Sequence, residues 1–216
     1  RLDREEKVAA ILPVSEFSDK QFLVFATEQG LVKKTPLMDF SRPTIAGIIA
    51  IKVQEGDRLL SVKLTDGNQN IFLGTYLGKS IRFPEKQCRA MGRNTRGVKG
   101  IRLAEADVVV GVDVVGEAGA ILTVTENGYG KRTDVNKYRT QNRGGKGLID
   151  IKTSPRNGPV VGQKLVDEDG EVMVITSAGK LIRTSAKGIK VQSRNTQGVK
   201  VISLGEGDRV VSVARL

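Results

Sequence analysis

The sequence predicts an all-β fold, a propeller-like disc of four-stranded blades with no significant helix. Three observations carry this expectation. A strand–glycine turn–strand pattern recurs four times at intervals of about 50 residues. Blades of four strands typically occupy ~40–50 residues. The runs between turns are short and rich in Val, Ile and Leu, and no stretch shows a helical period with caps. A tandem array of small barrels or a sandwich would use similar strands, but the even spacing without linkers or proline-rich breaks argues against separate bodies.

The four units align from "VFATEQGLVKKTPL" at Val24, "FLGTYLGKSIRFPE" at Phe72, "LTVTENGYGKRTDV" at Leu122 and "VITSAGKLIRTSAK" at Val174. Their turn glycines are Gly30, Gly78, Gly128 and Gly179, and four residues beyond each stands Lys34, Arg82, Arg132 or Arg183. A second, marker glycine follows in each unit: Gly47, Gly97, Gly147 and Gly198. A further apolar run closes each unit, as in "GDRLLSVKL" and "GDRVVSVARL". The expected organisation is one domain over 1–216, with repeats at 8–64, 65–115, 116–166 and 167–216. A lone copy of the closing run, "EEKVAAILPV" (5–14), predicts that the chain opens on the last strand of a preceding unit. The absence of an initial Met points the same way, to a piece of a longer protein.

Composition narrows the function. The 216 residues carry 35 Lys and Arg against 24 Asp and Glu, a net charge of +11. Such an excess implies a polyanionic partner, nucleic acid before an acidic membrane. With no His, neither a Ser-His-Asp triad nor a His-ligated metal site can form. Cys88 is the only cysteine, so no internal disulfide exists, as suits a reducing cytoplasm. Aromatic residues make up 4% and Trp is absent, which argues against a single-strand binder that stacks bases on rings. No apolar run is long enough for a membrane helix, and no signal-peptide pattern is seen.

The cations recur at fixed places. One set lies on the strand after each turn glycine: Lys33 and Lys34, Lys79 and Arg82, Lys131 and Arg132, Lys180 and Arg183. A second precedes the marker glycines: Arg42, then Arg89, Arg93 and Arg96, then Arg139, Arg143 and Lys146, then Arg194. Repetition in sequence becomes repetition around a disc, so a continuous basic band is expected at its edge. Solvation of exposed strands is the plainer explanation for any single cation, but not for placement shared across four units. No recognition helix or zinc finger is present, so binding to duplex DNA through phosphates, largely independent of sequence, is expected.

In the third unit the loop before the marker glycine reads "QNRGGKG", Gln141 to Gly147. Its counterparts are "GRNTRG" (92–97) and "SRNTQG" (193–198). Glycines allow backbone N–H groups to approach an oxyanion, and Arg143 and Lys146 add charge. A tight loop whose glycines only satisfy positive φ is the alternative. "QNRGGKG" resembles the glycine-rich basic box of the DNA gyrase A C-terminal domain family, and the resemblance runs along the chain through "GLVKKTPL", "MGRNTRGVKGIRL", "LTVTENGYGKRTDVNKYR" and "SRNTQGVKVISLGEGDRVVSVA". Asn142 departs from the cation expected at the second box position. The box also falls in the third visible unit, where the family has it in the first.

The resemblance implies a β-pinwheel, a propeller whose blades exchange a strand, with duplex DNA wrapped on its basic edge. It implies partners in the gyrase A core and in gyrase B. Catalysis, ATP and Mg would act in those other parts, so the chain itself would be a monomeric, non-catalytic, cofactor-free piece of a bacterial cytoplasmic enzyme. The DNA-binding residues expected are Lys33, Lys34, Lys79, Arg82, Arg93, Arg96, Lys131, Arg132, Gln141, Arg143, Gly144, Gly145, Lys146, Gly147, Arg183 and Arg194. The accessory domain of topoisomerase IV and a basic-rimmed propeller that binds an acidic protein are the competing readings.

Other motifs fall away. "GTYLGKS" (74–80) has three residues between its glycines where a P-loop needs four, and no helix follows. "DEDG" (167–170) and "TDGNQN" (65–70) are too short for calcium loops and suit hairpin turns. Tyr129 and Tyr138 lack any accompanying acidic metal site and are expected to pack.

Overall fold

In the computed structural model, which describes residues 8–216, the chain is built of strands and short 3₁₀ turns. Strands β1 (Phe22–Thr27), β2 (Leu31–Pro36) and β3 (Leu59–Thr65) come from the first repeat. The second supplies β4 (Asn70–Thr75), β5 (Lys79–Pro84), the two-residue β6 (Val98–Lys99) and β7 (Val109–Val115). The third supplies β8 (Ala120–Thr125), β9 (Tyr129–Asp134), β10 (Leu148–Ile149) and β11 (Val160–Val166). The fourth supplies β12 (Glu171–Thr176), β13 (Leu181–Ser185), β14 (Val199–Lys200) and β15 (Val210–Arg215).

These form antiparallel sheets in the orders β3-β1-β2-β6, β7-β4-β5-β10, β11-β8-β9-β14 and β15-β12-β13. The short outer strand of each four-stranded blade is therefore donated by the next repeat: Lys99 pairs with Leu31, Leu148 with Ser80 and Lys200 with Tyr129. This is the exchange that the family resemblance implied. At the opposite edge β3, β7, β11 and β15 pack on one another in succession. There Lys63 of β3 pairs with Asp113 of β7 at 2.9 Å, and Asp113 also accepts the Leu165 N–H of β11.

The hairpins explain the turn glycines. The β1–β2-type loop has three residues in the first three blades and four in the last, and in all of them its glycine N–H bonds the carbonyl of Thr27, Thr75, Thr125 or Thr176 at 3.0 Å. The glycines sit at φ +79 to +81°, the left-handed position that a three-residue hairpin loop requires. The register slips at this end of the inner pairing in every blade, as between Ala26 and Thr27 and between Gly74 and Thr75. The core lies between blades. Val24, Val32, Ile71, Leu73, Ile81 and Phe83 form one cluster across the first two sheets, and Leu122, Val124, Val172, Val174 and Val213 form another across the last two. Between the second and third sheets Phe72 meets Tyr138 edge to face, centroids 5.1 Å apart.

The expected strand over 5–14 is corrected. Its first three residues lie outside the described ones, and residues 8–14 form no strand; Leu12 and Val14 pack against the first blade instead. No helix among the described residues is long and apolar enough to cross a membrane.

Candidate nucleic-acid interface

Five of the eight cations on the strands after the turn glycines do not present their charge at the surface as expected. Lys33, Lys34, Arg82, Lys131 and Arg132 are buried. The reason lies in the disc: both faces of this strand are covered, one by each neighbouring element. The second cation of each pair staples its blade to the 3₁₀ turn of the next repeat. Lys34 Nζ lies 3.2 Å from the Glu85 carbonyl and 3.6 Å from its carboxylate. Arg82 donates to the carbonyls of Val135 (3.2 Å) and Gly116 (3.1 Å) and pairs with Glu117 at 2.5 Å. Arg132 donates to Ile189 O at 2.8 Å and Lys187 O at 3.4 Å. Arg183, by contrast, is exposed and pairs with Glu171 of its own blade.

Lys33 and Lys131 do a different job. Lys33 Nζ donates to the carbonyls of Ala50, at 2.6 Å, and Arg93. Lys131 Nζ donates to Ser193 O (2.9 Å), Arg194 O (3.1 Å) and Thr133 Oγ1 (2.8 Å), and lies 3.8 Å from the buried Asp150. Each lysine thus holds the loop that precedes the next marker glycine. Burial lowers both to about 8, against 10.5 in water; Asp39 opposes the shift at Lys33 and Asp150 at Lys131. Asp150 accepts in addition from Tyr138 Oη (2.5 Å), Thr123 Oγ1 (2.8 Å) and Gln163 Nε2 (2.9 Å). Tyr138 is raised above its usual 10 by burial first and by Asp150 second. Gly74 and Gly111 leave the room that Gln163 fills: a Cβ at Gly74 would run into its side-chain amide.

The loop 141–147 is fixed from within. Gln141 N–H bonds Arg82 O at 2.8 Å, and Gly144 N–H bonds Gly100 O at 2.7 Å. Arg143 uses its N–H on Gln87 Oε1 (2.7 Å) and its guanidinium on Gln87 O (3.3 Å) and Lys99 O (2.5 Å). Arg194 does the same one repeat on, donating to Ile149 O at 2.9 Å. Arg143 and Arg194 therefore clamp the exchanged strand beside them, which is why both are half-buried, as is Arg93. Gly144 and Gly147 have φ of +79° and +70°, while Gly145 is not in the left-handed region. The expectation of an amide cradle is corrected at Gly144, whose N–H is already bonded. Lys146 is the exposed cation of the loop.

Successive loops are hydrogen-bonded to one another. Lys52 N–H bonds Thr95 O at 3.0 Å, Arg102 N–H bonds Gly145 O at 2.8 Å, and Lys152 N–H bonds Thr196 O at 2.8 Å. The side chains of Lys52, Arg102 and Lys152 are exposed, as are those of Lys79, Arg96, Lys99, Lys146 and Lys200. A continuous outer edge results, with a cation five residues after three of the four marker glycines. Lys52, Lys99, Arg102, Lys152 and Lys200 were not among the residues expected from sequence. The repeat alignment that located the marker glycines also gives these positions.

A sequence model described as "DNA gyrase C-terminal domain, beta-propeller" matches residues 21–66, 69–116, 120–162 and 170–216. The chain belongs to the DNA gyrase C-terminal domain family. It is 48% identical over 215 residues to the DNA gyrase A protein of Escherichia coli (strain K12), covering all of this chain and 25% of that protein. The gyrase A protein of Staphylococcus epidermidis is 44% identical over 218 residues, again covering all of this chain and 24% of the relative. The chain thus spans about a quarter of the length of these relatives. Among solved structures, "Structure of DNA gyrase A C-terminal domain" superposes with a TM-score of 0.89 at 30% identity, over 99% of this chain and 72% of that one. The C-terminal domain of DNA topoisomerase IV superposes with a TM-score of 0.92 at 24% identity, over 100% of this chain and 68% of that one, a likeness of fold.

Proposed function

We propose that this gyrase-family domain binds and bends duplex DNA along its outer edge, and so serves the holoenzyme in introducing negative supercoils. The observation that carries the reading is the run of hydrogen-bonded loops with exposed cations at equivalent places. A smooth curved track of positive charge suits a smooth track of phosphates, one charge per ~1.7 Å of duplex axis. Bending 20–30 base pairs by 40–90° costs on the order of 1–6 kcal/mol, which several contacts per blade offset. The domain carries no catalytic role in this reading; strand cleavage and ATP hydrolysis belong to the gyrase A core and gyrase B, in the bacterial cytoplasm. Lys79, Arg96 and Lys146 are direct phosphate contacts, joined by Lys99, Arg102, Lys152 and Lys200. Lys33, Lys131, Arg143 and Arg194 act by holding the loops.

Duplex binding measured against salt tests this. Each lost phosphate contact lowers the slope of log K against log salt by ~0.9. Arg102→Ala with Lys152→Ala is expected to lower it by about 1.8 while leaving the melting temperature near that of the parent. An unchanged slope would mean that the track does not touch the backbone. The identities to gyrase A proteins favour gyrase over topoisomerase IV.

A further inference from the structure

We propose that the junction of the first two blades holds a binding site for an amphipathic anion, an apolar body carrying a sulfonate-, carboxylate- or phosphate-type charge. A cavity of about 310 Å³ opens there, floored by Ile101, Leu103 and Ala104 and ringed by Lys79, Arg102 and Lys146. That size lies at the lower end of small-molecule pockets, and an apolar floor with a few convergent charges is their usual make-up. One carboxylate also lines it: Asp107, whose Oδ1 is occupied by the N–H groups of Leu77 (2.9 Å) and Val108 (3.0 Å). Three cations against one carboxylate leave a local charge of 3 − 1 = +2.

The pocket is a departure from the repeat. One unit on, the residue in the place of Lys79 is Tyr129, and the Arg156 guanidinium covers its ring 5.0 Å from the centroid. Tyr129 and Arg156 thus form a stacked pair where the second unit has Lys79 and the small Ala106. The backbone around the opening is firmly held. Arg102 N–H bonds Gly145 O at 2.8 Å, Gly100 N–H bonds Gly30 O at 2.7 Å, and Ile101 is buried against Gly30. The site is therefore preformed, and its ligand need not order it.

The test titrates 8-anilinonaphthalene-1-sulfonate into the purified protein without DNA, so that its failure and the failure of duplex binding are separate results. One saturating fluorescence rise is expected, with the methyl resonances of Ile101 and Leu103 shifting in step. Neutral N-phenyl-1-naphthylamine is expected to bind at least ~10-fold more weakly, and equimolar inorganic sulfate not to displace the dye, because both halves of the ligand are needed. Ala104→Trp, which fills the floor, and Lys146→Glu, which reverses one rim charge, are each expected to weaken the dye ~10-fold or more at an unchanged melting temperature. Should Ala104→Trp unfold the protein, Lys146→Glu and the methyl shifts still decide. Dye binding unaltered by Lys146→Glu, or a fluorescence rise without movement at Ile101 and Leu103, overturns the proposal.

Discussion

Gly144 and Gly147 look alike in the sequence, both glycines of one loop and both in the left-handed region, yet alanine is expected to cost very different amounts at the two. At Gly144 (φ +79°) a Cβ would meet nothing nearer than Lys99 O at 3.6 Å, an ordinary contact. The cost is then conformational, about 1–2 kcal/mol, and is reduced by about 0.4–1 kcal/mol because alanine restricts the unfolded chain. A net loss of about 1 kcal/mol follows. At Gly147 (φ +70°) the same strain applies, but the Cβ would also sit 2.5 Å from Ser80 O. Ser80 is the ladder partner of Leu148, so relief requires the exchanged strand β10 to pull away from β5. Losing two ladder hydrogen bonds at about 1 kcal/mol each brings the total to about 3 kcal/mol. For a chain of this length each kcal/mol lowers Tm by about 2–4 °C. Gly144→Ala should therefore melt about 2–4 °C below the parent and Gly147→Ala about 6–12 °C below. Paired thermal and urea melts measure this. Equal losses would refute the reasoning, since the difference rests entirely on the approach to Ser80. Gly97→Ala, 2.5 Å from Val32 O, should behave like Gly147→Ala, and Gly47→Ala, with open space around it, like Gly144→Ala.

Ala106 holds a positive φ of +59° where the first and fourth units carry Gly56 and Gly207, so Ala106→Gly should stabilise by about 0.5–1 kcal/mol in a urea melt. Lys33 and Lys131 have folded values near 8 against 10.5 unfolded, so the unfolded chain binds more protons between those limits and stability should rise as pH climbs from 8 toward 10. Above pH 10 Tyr138, which keeps its proton longer folded than unfolded, should turn the curve down. Lys131→Met should flatten the rise, and pH-dependent urea melts would show it. Arg132→Ala should lower stability by about 2–4 kcal/mol, through orphaned carbonyls and an emptied site, and Arg102→Ala by less than about 0.5 kcal/mol, a contrast that separates staple from track.

The repeat, the all-β class and the turn glycines were legible because they depend on local chemistry: a three-residue hairpin loop needs a left-handed residue, and a strand needs a run of branched apolar residues. Strand exchange was not legible from the residues themselves, since β6, β10 and β14 are two residues long and pair with segments 60 or more residues earlier. The misplacement of Lys33, Lys34, Arg82, Lys131 and Arg132 has the same origin. Two adjacent cations on a strand ordinarily put at least one in water. Here neighbouring segments, chiefly of the next repeat, cover both faces and offer them backbone carbonyls, an environment that alternation within a single strand does not encode. Asp150 was overlooked because its partners Thr123, Lys131, Tyr138 and Gln163 lie 12 to 27 residues away in the sequence and meet only in the folded third blade. The exposed track at Lys52, Arg102 and Lys152 was within reach, as a fixed offset from the marker glycines, but "QNRGGKG" drew attention to residues whose main work is structural.

The most direct test of the central claim is topological. Relaxed circular duplex is incubated with the protein and a nicking-closing topoisomerase, the protein is removed, and the linking number is read. A shift of one sign that grows with protein and is lost in the Arg102→Ala, Lys152→Ala variant is the predicted result. Duplex binding with no shift at saturation would contradict bending along this edge, leaving a basic surface that holds DNA without shaping it.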